Sequence, residues 1–486
     1  MMNIRIQNIK VNPALFPIGV LLIIFSFICG MSVFSGQKKR IHYYSVRVDS
    51  SLAFLTVQII YQGPSPDVLY SGNKKASKYL THVRGNNETN IGDNKINLGK
   101  IADGSGIEYQ VDLQSAVSKN KWSMVRRAGS ALITSADLWL WLPKEDRTDV
   151  DILISFELPG NIKVSAPWEK VSTEPGKAVY RLGHTPHEWP VTVVFGKFYS
   201  KEIQVSGGTL LLAIMDGDPP VKPDEISHWI QKSAQAVADI YGQFPQKYTQ
   251  VLVIPVNKGR EPVPYAQVLR GGSPAAHFFI DQRRAQEDFL KDWTAFHEFS
   301  HLTLPFISRN DAWFSEGLAS YYQNVLLART GILTEKKAWK KLHEGFNRGK
   351  NESGDETLSD AAEHMYRNRA FMRVYWSGAG MMLMADWRLR KLSGGKMTLD
   401  TALGLLRECC MPSDRMWTAL EISGKLDLLT RTTVFTDLYN AHVNSSDFPD
   451  LSEVYDALGI DLFFDQIRFN DSAPDAGIRR NIMRSE

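Results

Sequence analysis

Residues 297–301 are His297-Glu298-Phe299-Ser300-His301, which reads H-E-x-x-H. Residues 292–304 predict a helix, so the two histidines lie four positions apart on one face of it. Two imidazoles placed in this way can both bind one zinc ion. Glu298 lies one position further round the helix, where it can take a proton from a water molecule that the metal activates. The alternative interpretation is a pair of surface histidines on an amphipathic helix.

A third protein ligand is needed, because three side chains hold a catalytic zinc ion and its fourth position stays open. Glu316 is the candidate, within W-F-S-E-G-L-A-S-Y-Y at residues 313–322. Pro305 predicts the end of the first helix, and a second helix is expected to begin just before Glu316 and run to about Ala328. Ser320, on the same face of that helix, could orient a ligand. The competing interpretation is that Glu316 only stabilises the N-terminus of the second helix.

These two motifs together resemble the gluzincin metallopeptidases. They are most similar to the membrane alanyl aminopeptidase and glycyl aminopeptidase families, whose second motif reads W-L-N-E-G-F-A or W-F-S-E-G. The resemblance implies a zinc-dependent peptidase in which His297, His301 and Glu316 bind one zinc ion and Glu298 is the general base. Ser320 stands where the thermolysin branch has aspartate, which favours the aminopeptidase-like branch.

A third segment, V-Y-W-S-G-A-G at residues 374–380, is similar to the Y-x-K-G-A stretch of these families. Their tyrosine hydroxyl stabilises the oxyanion of the tetrahedral intermediate. The resemblance therefore implies a catalytic role for Tyr375, although Ser377 replaces the usual lysine. The competing interpretation is that Tyr375 is an aromatic side chain packed in a helical core.

Two features depart from the family pattern. The stretch between His301 and Glu316 is a few residues shorter than usual, so the connection must be tight. The G-x-M-E-N segment, whose glutamate holds the free amine of the substrate in the alanyl aminopeptidases, is missing. Leu269–Ser273 (L-R-G-G-S) is expected in its place, as an edge that can pair with a peptide backbone. Arg270 there would repel an ammonium group, so we expect a peptidase that is not restricted to free N-termini.

The pattern along the chain predicts an α+β multidomain protein. Residues 37–215 contain short strands bounded by Pro, Gly, Asn and Asp, which indicates an antiparallel β-sandwich. Residues 216–395 mix helices and strands, in keeping with the thermolysin-like catalytic domain that the resemblance implies. Residues 396–486 are expected to be helical. Specific elements predicted are strands at Ala53–Tyr61, Leu138–Leu142 and Val150–Leu158, and a helix at Ser413–Ile422.

Residues 1–36 predict a signal peptide or a membrane anchor. Arg5 and Lys10 precede an uncharged apolar run from Ala14 to Phe34, which is long enough to span a bilayer. The three basic residues at 38–40 resist translocation, so a cleaved signal and an uncleaved anchor both stay open. We expect export of the main body, to a bacterial periplasm or to the outer face of the inner membrane.

Composition excludes several other classes of protein. Lys and Arg number 56 and Asp and Glu 53, so a net charge of +3 on 486 residues leaves no electrostatic footprint for nucleic acid. Three cysteines exclude a disulfide-built scaffold, and the adjacent Cys409 and Cys410 are expected to be unbridged. The expected partner is a peptide or protein substrate. Two rival functions stay open: a zinc-bearing protein that binds peptides without cleaving them, and a hydrolase of non-peptide bonds.

Overall fold

The computed structural model describes residues 40–86, 88–118, 125–143, 150–174, 177–183, 185–186, 189–257, 259–463 and 466–484. The predicted signal or anchor segment lies outside these residues. Across the part of the chain that is described, no helix is both long and apolar enough to cross a bilayer. The chain forms two compact units. One contains the described residues up to Arg127 and Leu132–Gly196, and the other contains Ala128–Ala131 and the described residues from Lys197 onward.

The first unit is built from three β-sheets with strand orders β13-β14-β11-β1-β2-β7-β4, β10-β3-β6-β5 and β12-β15-β9-β8. A short helix α1 (Leu113–Ala116) follows β7. The strands are β1 (Arg40–Val48), β2 (Phe54–Gln62), β3 (Val68–Tyr70), β4 (Leu80–Arg84), β5 (Asn90–Ile91), β6 (Lys95–Asn97), β7 (Gly106–Asp112), β8 (Val125–Ala128), β9 (Ala131–Ser135), β10 (Leu142–Pro143), β11 (Val150–Glu157), β12 (Lys163–Ser165), β13 (Glu169–Glu174), β14 (Lys177–Leu182) and β15 (Thr192–Gly196).

Burial alternates along the longest strands of this unit. In β2, every second side chain from Leu55 to Tyr61 is buried, because successive residues of a strand face opposite sides of the sheet. β1 pairs with β2 in antiparallel and with β11 in parallel orientation. The prediction of a sheet-rich N-terminal region is therefore confirmed, with one parallel pair inside a largely antiparallel sheet.

The predicted strand at Leu138–Leu142 is wrong. Leu138 ends a 3-10 turn, and only Leu142 and Pro143 belong to a ladder. Trp139 and Trp141 are fully buried, and their carbonyls accept hydrogen bonds from the hydroxyls of Tyr109 (2.9 Å) and Tyr44 (3.0 Å). Because side chains satisfy these buried carbonyls, the apolar run needs no neighbouring strand.

The second unit begins with a five-stranded sheet of order β16-β17-β18-β20-β19. The strands β17, β18 and β20 are parallel, and β19 is an antiparallel edge strand that the sequence did not predict. β16 and β17 were expected to belong to the sandwich, but they join this sheet, so the unit boundary follows Gly196 and not residue 215. The strands are β16 (Tyr199–Val205), β17 (Gly208–Ile214), β18 (Tyr248–Val256), β19 (Tyr265–Leu269) and β20 (Ala275–Asp281).

Helices make up most of the remaining second unit, which confirms a helical C-terminal region. It also contains a hairpin of β21 (Ile460–Phe463) and β22 (Gln466–Phe469), which corrects the expectation of helices alone. The helices are α2 (Pro223–Ala238), α3 (Gln286–Leu290), α4 (Thr294–His301), α5 (Ala312–Arg329), α6 (Glu335–Asn351), α7 (Leu358–Glu363), α8 (Met365–Asn368), α9 (Phe371–Ser393), α10 (Leu399–Cys410), α11 (Ala419–Thr430), α12 (Val434–His442), α13 (Ser452–Leu458) and α14 (Ala476–Ile482).

Two details near the end of α10 differ from expectation. The helix predicted from Ser413 begins only at Ala419, because Thr418 and Glu421 form a capping box there. Cys409 and Cys410, expected to be unbridged, are joined by a disulfide.

A close crossing of α5 and α9 positions the functional side chains. The two helices meet at Gly317 and Gly378, where a Cβ atom on either glycine would overlap backbone atoms of the facing helix. Glu316 precedes the first glycine, and Tyr375 lies one turn before the second. Backbone contact between the helices therefore places these two side chains near each other.

Candidate metal centre

The structure brings the three predicted ligands together. α4 carries His297 and His301 on one face, and α5 carries Glu316. Oε2 of Glu316 lies 3.3 Å from Nε2 of His297 and 3.5 Å from Nε2 of His301. One potential ligand atom from each residue lies within 4.8 Å of the other two, so this group could hold a metal ion.

The other ring nitrogens of the histidines are held by side chains of α5. Nδ1 of His297 lies 2.9 Å from Oε1 of Gln323, and Nδ1 of His301 lies 2.9 Å from Oγ of Ser315. An amide oxygen only accepts, so Nδ1 of His297 carries the proton and its Nε2 lone pair is free for a metal. The sequence pointed to Ser320 for this orienting role. In the described contacts Gln323 and Ser315 fill it, and Ser320 accepts a hydrogen bond from Asn324 through its backbone carbonyl.

Spacing could have identified Gln323, because it lies seven residues after Glu316 and so returns to the same face of α5. Ser315 directly precedes Glu316, and nothing in its position along the sequence marks it. The full set of two imidazoles oriented through Nδ1 and one carboxylate is the donor set of a catalytic zinc site.

The electrostatics of the three ligands suit a cation. Burial alone would raise the pKa of Glu316, but the adjacent His301 and His297 hold it well below its usual range. Glu316 is therefore ionised and supplies negative charge to the centre. Burial would lower the pKa of His297, but the charge of Glu316 and the hydrogen bond that the protonated ring donates to this carboxylate raise it instead.

Glu298, the predicted general base, is buried next to the ligands, with 8% of its surface exposed. Burial raises its pKa, and the two histidines partly oppose that increase. A carboxylate whose pKa is raised by burial accepts a proton more readily than an exposed one.

Tyr375 reaches the same place from α9. Its ring stacks on the ring of His297, with centroids 6.2 Å apart and planes 21° apart. Burial raises its pKa, and the charges of Glu316 and Glu298 and a hydrogen bond with Glu316 raise it further. Its hydroxyl therefore stays protonated and can donate a hydrogen bond. Ser377, which replaces the usual lysine, accepts a hydrogen bond from Arg373 at 2.9 Å.

Tyr265 on the edge strand β19 is a residue near the centre that the sequence did not reveal. Burial raises its pKa to about 12, with further contributions from Glu298, Tyr366 and Glu316. Two walls therefore carry phenol groups close to the metal ligands: β19 carries Tyr265, and the α8–α9 segment carries Tyr366 and Tyr375.

Arg270 does not have the role expected from the sequence. Its guanidinium donates to the backbone carbonyls of His301 (2.6 Å) and Leu304 (3.1 Å), at the C-terminal end of α4. These carbonyls lie at and just beyond the negative end of the helix dipole, so a cation binds them well. The expectation that this charge repels the amine of a substrate therefore gains no support from the contacts of Arg270.

The segment between α4 and α5 is held by Trp417, which lies far along the chain. The N–H of Trp417 donates to the carbonyl of Phe306, and the N–H of Ser308 donates to the carbonyl of Trp417, both at 2.8 Å. This isolated bridge keeps the segment between α4 and α5 in place.

Comparison with known proteins agrees with this geometry. Residues 306–379 match the model of the M61 glycyl aminopeptidase family, a segment that includes Glu316 and Tyr375. A solved structure of an aminopeptidase N family protein from Idiomarina loihiensis aligns with 86% of this chain and 78% of its own, with a TM-score of 0.66 and 15% identity. At that identity the likeness shows a shared fold. No curated protein matches the sequence. The resemblance to the aminopeptidase families is thus confirmed, and the family match supports a peptidase.

Proposed function

We propose that this chain is a zinc-dependent peptidase of the gluzincin type, with a thermolysin-like catalytic unit. The observation that carries the proposal is the convergence of His297, His301 and Glu316, with Glu298 and Tyr375 beside them. The peptidase family match over residues 306–379 supports it independently.

The roles of the side chains follow from their placement. When bound, a zinc ion would polarise the scissile carbonyl and lower the pKa of a coordinated water molecule. His297, His301 and Glu316 hold the ion. Glu298 accepts the proton of the attacking water and passes it to the leaving amine. The hydroxyl of Tyr375 donates a hydrogen bond to the oxyanion that forms at the carbonyl.

We also propose that substrates do not need a free N-terminus. A buried ammonium group requires a carboxylate partner, and Leu269–Ser273 contains none. The charges of two acids, Glu298 and Glu316, raise the pKa of Tyr265 and Tyr375. The proposed metal centre already uses both acids. Arg270 lends no support here, because α4 engages its guanidinium.

The variant Glu298→Gln tests the central proposal. It should keep one zinc ion per chain and lose peptide hydrolysis by about a hundredfold to ten-thousandfold, because an amide cannot take the proton from water. Equal rates for the variant and the parent would overturn the mechanism. Peptide binding without cleavage by the parent would favour the binding-protein alternative, and cleavage of esters alone would favour a non-peptide hydrolase.

Pairs of peptides that differ only in N-terminal acetylation test the second proposal. Both members of each pair should be cleaved at the same bond with similar kcat/KM. The series should include peptides that begin with glycine, because the matching family is described as glycyl aminopeptidases. If acetylation abolishes cleavage of every pair, the chain requires a free amine and the proposal fails.

We further propose that the protein is exported, on the basis of the apolar run Ala14–Phe34 and the basic residues before it. N-terminal sequencing of the protein recovered from cell fractions tests this. Recovery only from the cytoplasm, with Met1 and its neighbours intact, would contradict it.

A further inference from the structure

Aromatic rings form a continuous strip across the metal centre. The ring of Trp293 meets His297 edge-on at 5.5 Å, and His297 stacks on Tyr375 at 6.2 Å. Tyr375 meets Phe371 at 6.4 Å, and Phe371 meets Tyr366 at 5.4 Å. The strip therefore runs from the start of the metal helix α4, through a metal ligand, to the short helix α8.

Both ends of this strip are open to solvent. Trp293 is 39% exposed and Tyr366 is 75% exposed, although most large apolar side chains of this unit are buried. Tyr366 contributes to the raised pKa of both Tyr265 and Tyr375, so it lies near both of these tyrosines. An exposed aromatic surface that continues directly into a catalytic centre is a surface on which a ligand can stack.

We propose that the aromatic strip binds a bulky apolar side chain of the substrate, on a residue next to the scissile bond, and that Tyr366 is the residue that sets this preference. The inference rests on the proposed peptidase function and names its substrate class.

The chemistry of the strip argues for an apolar occupant. Stacking a substrate ring against Tyr366 and Phe371 removes apolar surface of both partners from water, and offset or edge-on ring pairs gain further. An acidic side chain would lose its hydration against these rings without gaining a stacking contact. A basic side chain could stack on a ring as a cation, so it is the rival that the experiment must include.

The test uses peptides of one sequence in which a single residue beside the cleaved bond is Phe, Ala, Lys or Asp, each in free and acetylated form. The zinc-loaded Glu298→Gln variant gives the equilibrium dissociation constant of each peptide, and the parent gives kcat/KM. We expect the Phe peptide to have a dissociation constant about tenfold or more lower, and a kcat/KM about tenfold or more higher, than the Ala, Lys and Asp peptides. Tyr366→Ala should bring the Phe-to-Ala ratio close to one, and Tyr366→Phe, which keeps the ring, should retain it.

Leu428→Ala is the matched control, because Leu428 is 70% exposed on α11, which packs on α10 and α12. It should leave the ratio unchanged. Equal values for Phe and Ala, a preference for Lys, or a full preference in Tyr366→Ala with unchanged zinc content would each overturn the inference while the peptidase proposal stands. Selective binding of Phe peptides that the parent does not cleave would uphold the inference and reject the peptidase.

Discussion

Arg270 is bound to the backbone of His301, one of the proposed metal ligands: its Nη2 donates to that carbonyl over 2.6 Å. Nη1 of the same guanidinium donates to the carbonyl of Leu304. Arg270 directly follows the edge strand β19, so this pair of hydrogen bonds ties the end of β19 to the end of α4. The position of His301 therefore depends on a residue that touches neither the metal nor a substrate.

Replacing Arg270 should loosen the metal. Arg270→Met removes both hydrogen bonds, and the carbonyl of His301 then keeps only the N–H of Leu304 as its donor. We expect zinc affinity to fall by about tenfold to a hundredfold, as for other residues that orient a ligand. Arg270→Lys, which keeps the charge, should recover part of the loss. The dissociation constant from competition with a chelator measures this, and an unchanged constant for Arg270→Met would contradict it.

The ligands themselves should show a far larger effect. Ala in place of His297, His301 or Glu316 leaves two protein ligands, so each variant should lose stoichiometric zinc. Elemental analysis after dialysis measures the metal content. Ser320→Ala serves as the matched control, because Ser320 lies on α5 near Glu316 and outside the described contacts of both histidine rings. Full zinc in all three ligand variants would reject the site.

Gln323 should control metal affinity through the tautomer of His297. Gln323→Leu removes the acceptor at 2.9 Å from Nδ1 and should weaken zinc binding by about tenfold to a hundredfold. Gln323→Glu keeps an acceptor at that position and should bind zinc at least as tightly as the parent. Equal affinity of the Leu variant and the parent would show that the hydrogen bond is dispensable.

Tyr375→Phe should act on turnover and leave metal content unchanged. The ring that stacks on His297 remains, and the hydroxyl that would meet the oxyanion is lost. Loss of one such donor lowers kcat by about a hundredfold to a thousandfold, with little change in KM. Steady-state kinetics on one peptide test this. A normal kcat would return Tyr375 to a packing role.

Asp292 should make stability depend on pH. It is 4% exposed, and burial raises its pKa to about 6, against a normal value of 3.8. Because the folded chain binds this proton more tightly than the unfolded chain, the ionised form destabilises the fold fully above pH 6 and not at all below about pH 4. The shift of the pKa from 3.8 to about 6 corresponds to about 3 kcal/mol in the free energy of unfolding.

Asp292→Asn should therefore raise the free energy of unfolding at pH 8 and lose this advantage as the pH falls from 6 to 4. The uncharged amide can still accept from the N–H of Thr294, which lies 2.8 Å from the carboxylate. The control is Glu287→Gln on α3, which also removes one negative charge but at an exposed position. Denaturant unfolding at several pH values measures the effect, and a gain that does not vary with pH would contradict the assignment.

The metal ligands could be predicted because their arrangement is local. A spacing of four residues on a helix places His297 and His301 on one face whatever the rest of the chain does. Glu316 could be identified as the third candidate ligand because its motif comes soon after the same helix in the sequence. Arg270 lies 31 positions before His301, and only the folded sheet and helix bring the two together.

The parts of the fold that sequence missed depend on partners in space. All five residues of β19 are partly buried, so this strand has no alternation that would reveal it. Residues 37–215 were predicted to form one sandwich, but the sequence of Gly208–Ile214 does not say which sheet this strand joins. β17 pairs in parallel with β18, the strand that follows the helix α2 in the chain. This pairing puts β17 in the second unit, so the boundary between the units comes before it.

The bridge between Trp417 and the connection of the two motifs bears on how the enzyme matures during synthesis. A ribosome that has just released Glu316 has still to add about a hundred residues before Trp417 can pair with Phe306 and Ser308. Chains fold by units as they emerge, so the connection between the two helices of the proposed site gains this support only late in translation. A nascent chain stalled at Gly394–Gly395 would carry His297, His301 and Glu316 without the bridge that holds their connection.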